Sequence, residues 1–280
     1  MARDLLNPIL QTERPKSQTP ILKFEDVGFA YDGRDILKDV SFSVRRGELI
    51  ALLGPSGCGK TTILNVVAGF INASHGCAFI DGKLIDRPGP DRGVVFQSYA
   101  LFDWMTVRDN ITFSLRCAGK SRKERREVAE RMTNLVGLGG FEDRYPYQLS
   151  GGMRQRCGLA RVLAANPKVM LMDEPFAAVD VQTRETLQEE ILNVKEKMGS
   201  TILFVTHSID EAVFLADRIF VITNLAQGQY LDIPVNLPSP RSSPSNRLHP
   251  DFLALREDIY LRMRTDKPAV TAVSNEGAAK

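Results

Sequence analysis

Gly54-Pro55-Ser56-Gly57-Cys58-Gly59-Lys60-Thr61-Thr62 lies between an apolar run, Leu49 to Leu53, and the stretch Ile63-Leu64-Asn65-Val66-Val67-Ala68. The run reads as a buried strand and the stretch after it as a helix, so strand, glycine loop and helix come in the order a phosphate site needs. Glycine at 54, 57 and 59 lets backbone N–H groups turn inward without Cβ interference, and several donors then converge on a polyphosphate at the positive end of the helix. Lys60 supplies a point charge for the β and γ phosphates, and the Thr61 hydroxyl a place for Mg²⁺. A tight turn is the bland alternative, but a chain of ordinary glycine content meets this pattern by accident on the order of 1% of the time. Nucleotide binding is the expectation.

Outward from this loop, the composition is globular. With 280 residues, 43% hydrophobic and 25% charged, the chain can bury roughly three quarters of its unfolded surface in one core with a satellite lobe. A net charge of +2 argues neither for nor against nucleic acid. Cys58, Cys77, Cys117 and Cys157 are scattered without a CxxC pair, which suggests neither zinc nor a disulfide framework and fits a reduced compartment. Cys58 reads as a small filler of the loop, and as a point of oxidative inhibition if its thiol is reactive. No apolar run approaches the ~20 residues of a membrane span, and Leu5-Leu6-Asn7-Pro8-Ile9-Leu10 is too short and broken for a signal peptide. A chain made and kept in the cytosol is expected.

Residues 1–20, with Pro8, Pro15 and Pro20, read as a loose arm. Period-two patterns at Leu22, Phe24 and at Val27, Phe29, Tyr31, then at Val40, Phe42, Val44 after an Asp32-Gly33 turn, predict a small antiparallel sheet. Phe79 to Ile85 predicts a hairpin closed by Asp81-Gly82. Gly93 to Gln97 is a short apolar strand ending on an amide that can reach a ligand, because crevices in open α/β sheets lie at the carboxyl ends of strands. Residues 98–157 lose strand signals and gain helical ones, including a charged helix opened by Lys120 to Glu127 with Val128, Met132, Leu135 and Val136 on one side. This predicts an inserted helical lobe. Its basic run alternates with glutamates and reads as a solvated face rather than a nucleic-acid surface. The cluster Tyr99, Leu101, Phe102, Trp104, Met105, which holds the sole tryptophan, either packs under the lobe or meets a partner.

Leu149-Ser150-Gly151-Gly152 opens another helix, either as an ordinary capped start or as a second anion site. Val169 to Asp173, followed by Glu174, predicts a buried strand ending in two adjacent carboxylates. Neighbouring side chains on an extended segment point opposite ways, so the two acids divide the work between metal and γ-phosphate. Thr183 to Met198 reads as an amphipathic helix stopped by Gly199. Thr201 to Thr206 reads as a strand ending on His207, the one histidine of three placed at such an edge. Gln97, Asp173, Glu174 and His207 at the edge that carries the phosphate loop form a constellation that scattered caps seldom make.

Over residues 21 to 232 the chain resembles an ATP-binding-cassette ATPase. GPSGCGKTT, Gln97, LSGGMRQR, VMLMDEP, Ala178-Val179-Asp180 and His207 are similar in type and order to that family's phosphate loop, glutamine loop, signature, acidic strand, aspartate loop and switch histidine. LSGG is the specific one. The resemblance implies an α/β fold with a P-loop NTPase core of RecA-like type, helices on both faces of the sheet, a small antiparallel β subdomain and an inserted helical subdomain. The implied segments are an arm (1–20), core with β subdomain (21–97), helical subdomain (98–157), second core part (158–232), carboxyl-terminal extension (233–264) and disordered tail (265–280).

It further implies ATP and Mg²⁺ as ligands. Tyr31 would stack on adenine, a role that an aromatic at a strand end does not by itself establish. The loop Gly54, Pro55, Ser56, Gly57, Cys58, Gly59, Lys60, Thr61, Thr62 would hold phosphates, and Thr61, Gln97 and Asp173 the metal. Gln97 would also sense the attacking water, Glu174 polarise it and His207 fix the γ-phosphate. Ser150, Gly151 and Gly152 would meet the nucleotide of a second ATPase copy in a head-to-tail dimer, with Asp180 across that interface.

Within the family, GVVFQSYALFDWMTVRDNI, YQLSGGMRQR, DEPFAAVDVQTR and the tail from Leu237 to Arg264 resemble ATPase subunits of bacterial importers for nitrate, sulfonates, taurine and similar solutes. Asp103, Ala177 and Val179 depart from the usual residues. The implied partners are a second ATPase subunit, transmembrane permease subunits and, indirectly, a solute-binding protein, with no nucleic acid. The implied location is peripheral, on the cytoplasmic face of the bacterial inner membrane. No long carboxyl-terminal regulatory domain is expected, and the extension lies on the surface or braces the dimer. The alternatives are a soluble cassette protein acting on ribosomes or nucleic acid, and a P-loop kinase or GTPase that would have no use for LSGG.

Overall fold

The computed structural model describes residues 19–96, 100–177 and 180–265. Gln97 and Tyr99, the Ala178-Val179 pair, nearly all of the expected arm and the tail beyond 265 lie outside the described residues.

The chain begins with β1 (Pro20–Tyr31) and β2 (Arg34–Arg45), joined by Asp32 and Gly33, both at positive φ. This is the turn geometry whose twist matches a hairpin, and Asp-Gly supplies it. The odd step from Phe24 to Val27 in the apolar pattern appears as a break in register, with Asp26 at φ 48. A bulge there keeps Leu22, Phe24 and Val27 all buried. After β3 (Leu49–Leu53), α1 (Lys60–Ala68), β4 (His75–Ile80), β5 (Lys83–Leu84) and β6 (Arg92–Val95), the first sheet is complete with order β2-β1-β4-β5. Its second turn, Asp81-Gly82, repeats the positive φ pair.

The helical lobe follows: α2 (Val107–Ile111), α3 (Phe113–Cys117), α4 (Arg122–Leu135) and α5 (Gly151–Ala164). Ser121 and Glu124 cap α4 reciprocally, which explains why the charged run starts a helix where it does. Helix α5 runs unbroken past residue 157, so lobe and core share one helix. The chain then alternates through β7 (Val169–Asp173), α6 (Val181–Met198), β8 (Thr201–Thr206), α7 (Ile209–Leu215), β9 (Arg218–Asn224), β10 (Gln229–Pro234) and α8 (Pro250–Thr265). Helix α6 starts two residues before the expected Thr183 because Asp180 caps it.

The second sheet has order β10-β9-β3-β8-β7-β6, with β9, β3, β8, β7 and β6 parallel and β10 antiparallel at the edge. Its central strands are buried on both faces, as parallel strands covered by helices must be. Alternation divides β3 between two cores. Leu49, Ala51 and Leu53 join the core built with α5, α6, α7 and α8, whereas Ile50 and Leu52 join the one built with α1 and the antiparallel sheet. The expected layered α/β fold, with helices on both faces and a small antiparallel subdomain, is what the chain forms. Among the described residues no helix is long and apolar enough to cross a membrane.

Arg218 joins the two sheets. Its guanidinium donates to the Ser43 carbonyl of β2, to both Glu48 oxygens before β3 and to Asp232 of β10, and lies over the Phe220 ring. Glu48 is buried. Arg218→Ala leaves that carboxylate with only backbone support, and is expected to cost about 2 kcal/mol of stability, below the range for fully buried pairs because Asp232 is partly exposed. Urea unfolding measures this.

Candidate functional site

Parallel register decides where the site lies. Leu53 of β3 is level with Thr206 of β8, and Val205 with Asp173 of β7. The chain therefore leaves three adjacent strands at one edge, and the phosphate loop, the acids and His207 emerge together.

In the loop, Gly57 and Gly59 stand at φ 80 and 100. Gly54 faces the Ile222 carbonyl so closely that a Cβ would meet it at 2.7 Å. Only glycine fits these positions. Helix α1 starts from Gly59 with no side-chain cap, in contrast to α5, α6 and α7, whose first turns are capped by Ser150, Asp180 and Ser208. The Lys60 side chain folds back over the loop, 4% exposed, and its Nζ donates to the Gly54 and Pro55 carbonyls at 2.8 and 2.7 Å. An uncapped helix start beside a buried ammonium that has carbonyl acceptors is a fit for a polyphosphate. Pro55, Ser56 and Gly57 form the exposed rim of this cradle, and Thr62 lies half-buried in the first turn of α1. Burial pushes the Cys58 thiol up, against the pull of Lys60. At neutral pH it remains a thiol, a poor nucleophile and a filler.

Thr61 Oγ1 lies 3.5 Å from Asp173 Oδ1. Burial raises the Asp173 pKa, and the Glu174 charge raises it further against the opposing effects of Thr61 and Lys60. A hydroxyl and a carboxylate whose charge lacks full compensation suit a Mg²⁺ ion, which binds through one or two protein ligands and keeps its waters for phosphate exchange. Glu174 sits at φ 42, a strained conformation for a side-chain-bearing residue, and its N–H is fixed by the Val205 carbonyl at 3.1 Å. The turn separates the two carboxylates. Glu174 Oε2 is 3.2 Å from His207 Nδ1, whereas Asp173 pairs with Thr61.

Behind His207, Thr206 Oγ1 donates to Glu211 Oε2 at 2.6 Å, the Ser208 N–H donates to Thr206 Oγ1, and Ser208 Oγ accepts from the Glu211 N–H. This knot fixes the backbone on which the histidine stands. Sequence reasoning missed Glu211, and Gln155 as well, whose amide donates to the Pro175 carbonyl just after the acids. Gln155 lies four residues before Leu159 on the inward face of α5, and a buried glutamine at that spacing was the available signal.

Tyr31 ends β1 with its ring 66% exposed, beside the turn that begins the hairpin. Ser150 caps α5 by accepting from the Met153 N–H, and Asp180 caps α6 by accepting from Thr183. Gly152 abuts α6, for a Cβ there would meet Thr183 Cγ2 at 2.7 Å. Signature and aspartate loop are thus neighbours, with Gly151 half-buried at the first turn of α5, while α5 packs chiefly on α2 and α4 of the lobe.

A glycine cradle, a buried lysine, a threonine–aspartate pair and a glutamate–histidine pair at one edge of a parallel sheet define a nucleotide-hydrolysing P-loop domain. The family model described as ABC transporter matches residues 37–177. Taurine import ATP-binding protein TauB of Escherichia coli O157:H7 is 44% identical over 244 residues, 85% of this chain and 95% of that one. CbiO1 of Clostridium perfringens, part of the ABC transporter complex CbiONQ, superposes with a TM-score of 0.72 at 26% identity over 88% of this chain and 96% of its own. The ATP-binding cassette MJ0796, solved as a dimer in a post-hydrolysis state with ADP and Pi, gives 0.65 at 29% identity over 77% and 99%. The chain belongs to the ABC transporter family and is an ATP-binding, ATP-hydrolysing cassette.

Because the native state holds the Asp173 proton to higher pH than the unfolded chain does, it binds more protons as pH rises through the unfolded carboxyl pKa, and stability falls across that window. Asp173→Asn keeps the acceptor for Thr61 and removes the charge. Without nucleotide its Tm is expected to rise by about 1–3 °C at neutral pH, with hydrolysis lost; a thermal melt and an ATPase assay report the two effects.

Proposed function

We propose that this chain is the motor subunit of a bacterial importer for a small solute such as taurine, a sulfonate or nitrate. The main support is the meeting of Lys60, the Thr61–Asp173 pair and the Glu174–His207 pair where three adjacent strands end. Similarity to a taurine import protein supports the direction and solute class.

In this reading Gly54 to Thr62 bind the triphosphate, Lys60 turning its ammonium from the loop carbonyls toward the β and γ phosphates. Tyr31 stacks on the base from its exposed strand end. Thr61, Asp173 and Gln97 would hold Mg²⁺, which would supply positive charge to the triphosphate. Glu174 accepts a hydrogen bond from the attacking water and polarises it. The water oxygen bonds to the γ-phosphorus as the bond to the bridging oxygen breaks, which leaves ADP and phosphate. His207, which meets Glu174 through Nδ1, stands where its ring fixes the γ-phosphate.

Ser150, Gly151 and Gly152 complete the site of a second copy, and Asp180 lies across that interface. Ser150, exposed at the cap of α5, and the position of that helix on the lobe support this arrangement. Asn110 is wholly buried and holds the preceding loop through the Phe102, Met105 and Thr106 backbone, which leaves Trp104 74% exposed beside Phe102. A rigid loop that presents an exposed tryptophan is suited to a permease contact. The protein then sits at the cytoplasmic face of the inner membrane, and the permease with its solute-binding protein chooses the solute.

Glu174→Gln should slow hydrolysis by about 100-fold or more while ATP still binds, since water polarisation is lost and the cradle is kept. Full hydrolysis by that variant overturns the role given to Glu174. Recovery of the tagged protein from gently solubilised native membranes should bring a multi-span permease with it. Ribosomal or nucleic-acid partners in its place would overturn the importer reading.

A further inference from the structure

The chemistry above uses nothing beyond β10, yet the carboxyl-terminal stretch is part of the core. Val235, Phe252 and Ile259 are buried in one cluster with Ala212 to Leu215 of α7 and Ala216 just after it. Asn246, itself buried, donates to the Pro238, Pro240 and Arg241 carbonyls and folds the chain between β10 and α8 into a compact strap.

Three arginines of this segment reach the same short helix. Arg241 Nη2 donates to the Phe214 and Ala216 carbonyls at 3.1 and 2.8 Å, which closes the carboxyl end of α7. Arg256 pairs with Asp210 in its first turn at 2.9 Å. Arg247 lies with its guanidinium 3.7 Å from the centre of the Phe214 ring, and its Nη2 donates at 2.6 Å to Gln188 Oε1, which belongs to α6 and is buried. Of the three, Arg247 is the one whose contacts reach α6 as well as α7. Helix α7 begins at Ile209, capped by Ser208 next to His207, and α6 begins at Val181, capped by Asp180. A guanidinium whose planar fork serves a ring face and an amide at once fixes their relative position in a way that a single contact would not.

We propose that Arg247 is a positioning residue for hydrolysis, pinning α7 to α6 so that His207 stands at a set distance from Glu174. This rests on the reading that His207 acts on the γ-phosphate. Arg247 contacts Phe214 and Gln188 rather than the phosphate loop, so its loss should appear in kcat and leave the binding cradle alone.

Steady-state kinetics on the full chain test this. Arg247→Ala is expected to lower kcat about ten-fold with KM for ATP within about two-fold, since small misplacements of a catalytic group cost rate rather than affinity. Arg247→Lys, which keeps a cation over Phe214, should recover part of the loss. Gln188→Met removes only the α6 end of the bridge and should lower kcat about three-fold, which serves as the test if Arg247→Ala folds poorly. In single-turnover assays on a His207→Ala background, neither change should slow hydrolysis further. Unchanged kcat in both folded variants, or an equal further loss on that background, overturns the proposal and leaves the site reading intact. Full activity of His207→Ala alone overturns both.

Discussion

A buried ammonium governs this molecule. Lys60 is withdrawn from water and held by two carbonyls of the loop it closes, with Asp173 near enough to feel its charge. Removing such a charge from water is costly unless something repays the desolvation. The cost confines the sequence around it. Gly54 lies against Ile222, Gly57 and Gly59 take positive φ, and β3 delivers the loop at the level of the acids, which together let the loop close over this lysine.

The acids resolve a second conflict. Two carboxylates next to each other at the end of a buried strand repel, and burial adds to the penalty on Asp173. The chain separates them by strain. With Glu174 in the left-handed region, its carboxylate reaches His207 while Asp173 stays with Thr61. Local strain at one residue gives two adjacent acids different partners.

What the sequence made legible follows from how local the constraint is. The phosphate loop could be read in full because glycine, lysine and threonine there answer to backbone geometry and charge within nine residues. The hairpin turns were readable for the same reason, since Asp-Gly at 32–33 and 81–82 dictates its own φ angles. The grouping of Asp173, Glu174 and His207 needed only the rule that parallel strands point one way. Glu211, Gln155 and the arginines of the strap were not readable, because each makes sense only through a partner brought near by tertiary packing. A glutamine in α5 or an arginine after a proline-rich stretch resembles any polar surface residue until the Pro175 carbonyl or the Phe214 ring lies beside it. The extension proved to be core material for that reason also: which of its apolar residues are buried depends on α7.

Helix α5 carries more than the signature. Ser150 caps its start, Gln155 ties its middle to the loop after the acids, and Arg161 near its end donates to the Ala100 carbonyl. Ser150 and Arg161 lie eleven residues apart, about 16 Å along the axis at 1.5 Å per residue. The signature, the turn after the acids and the loop at Ala100 therefore hang on one continuous helix, and none of the three can shift without bearing on the support of the other two.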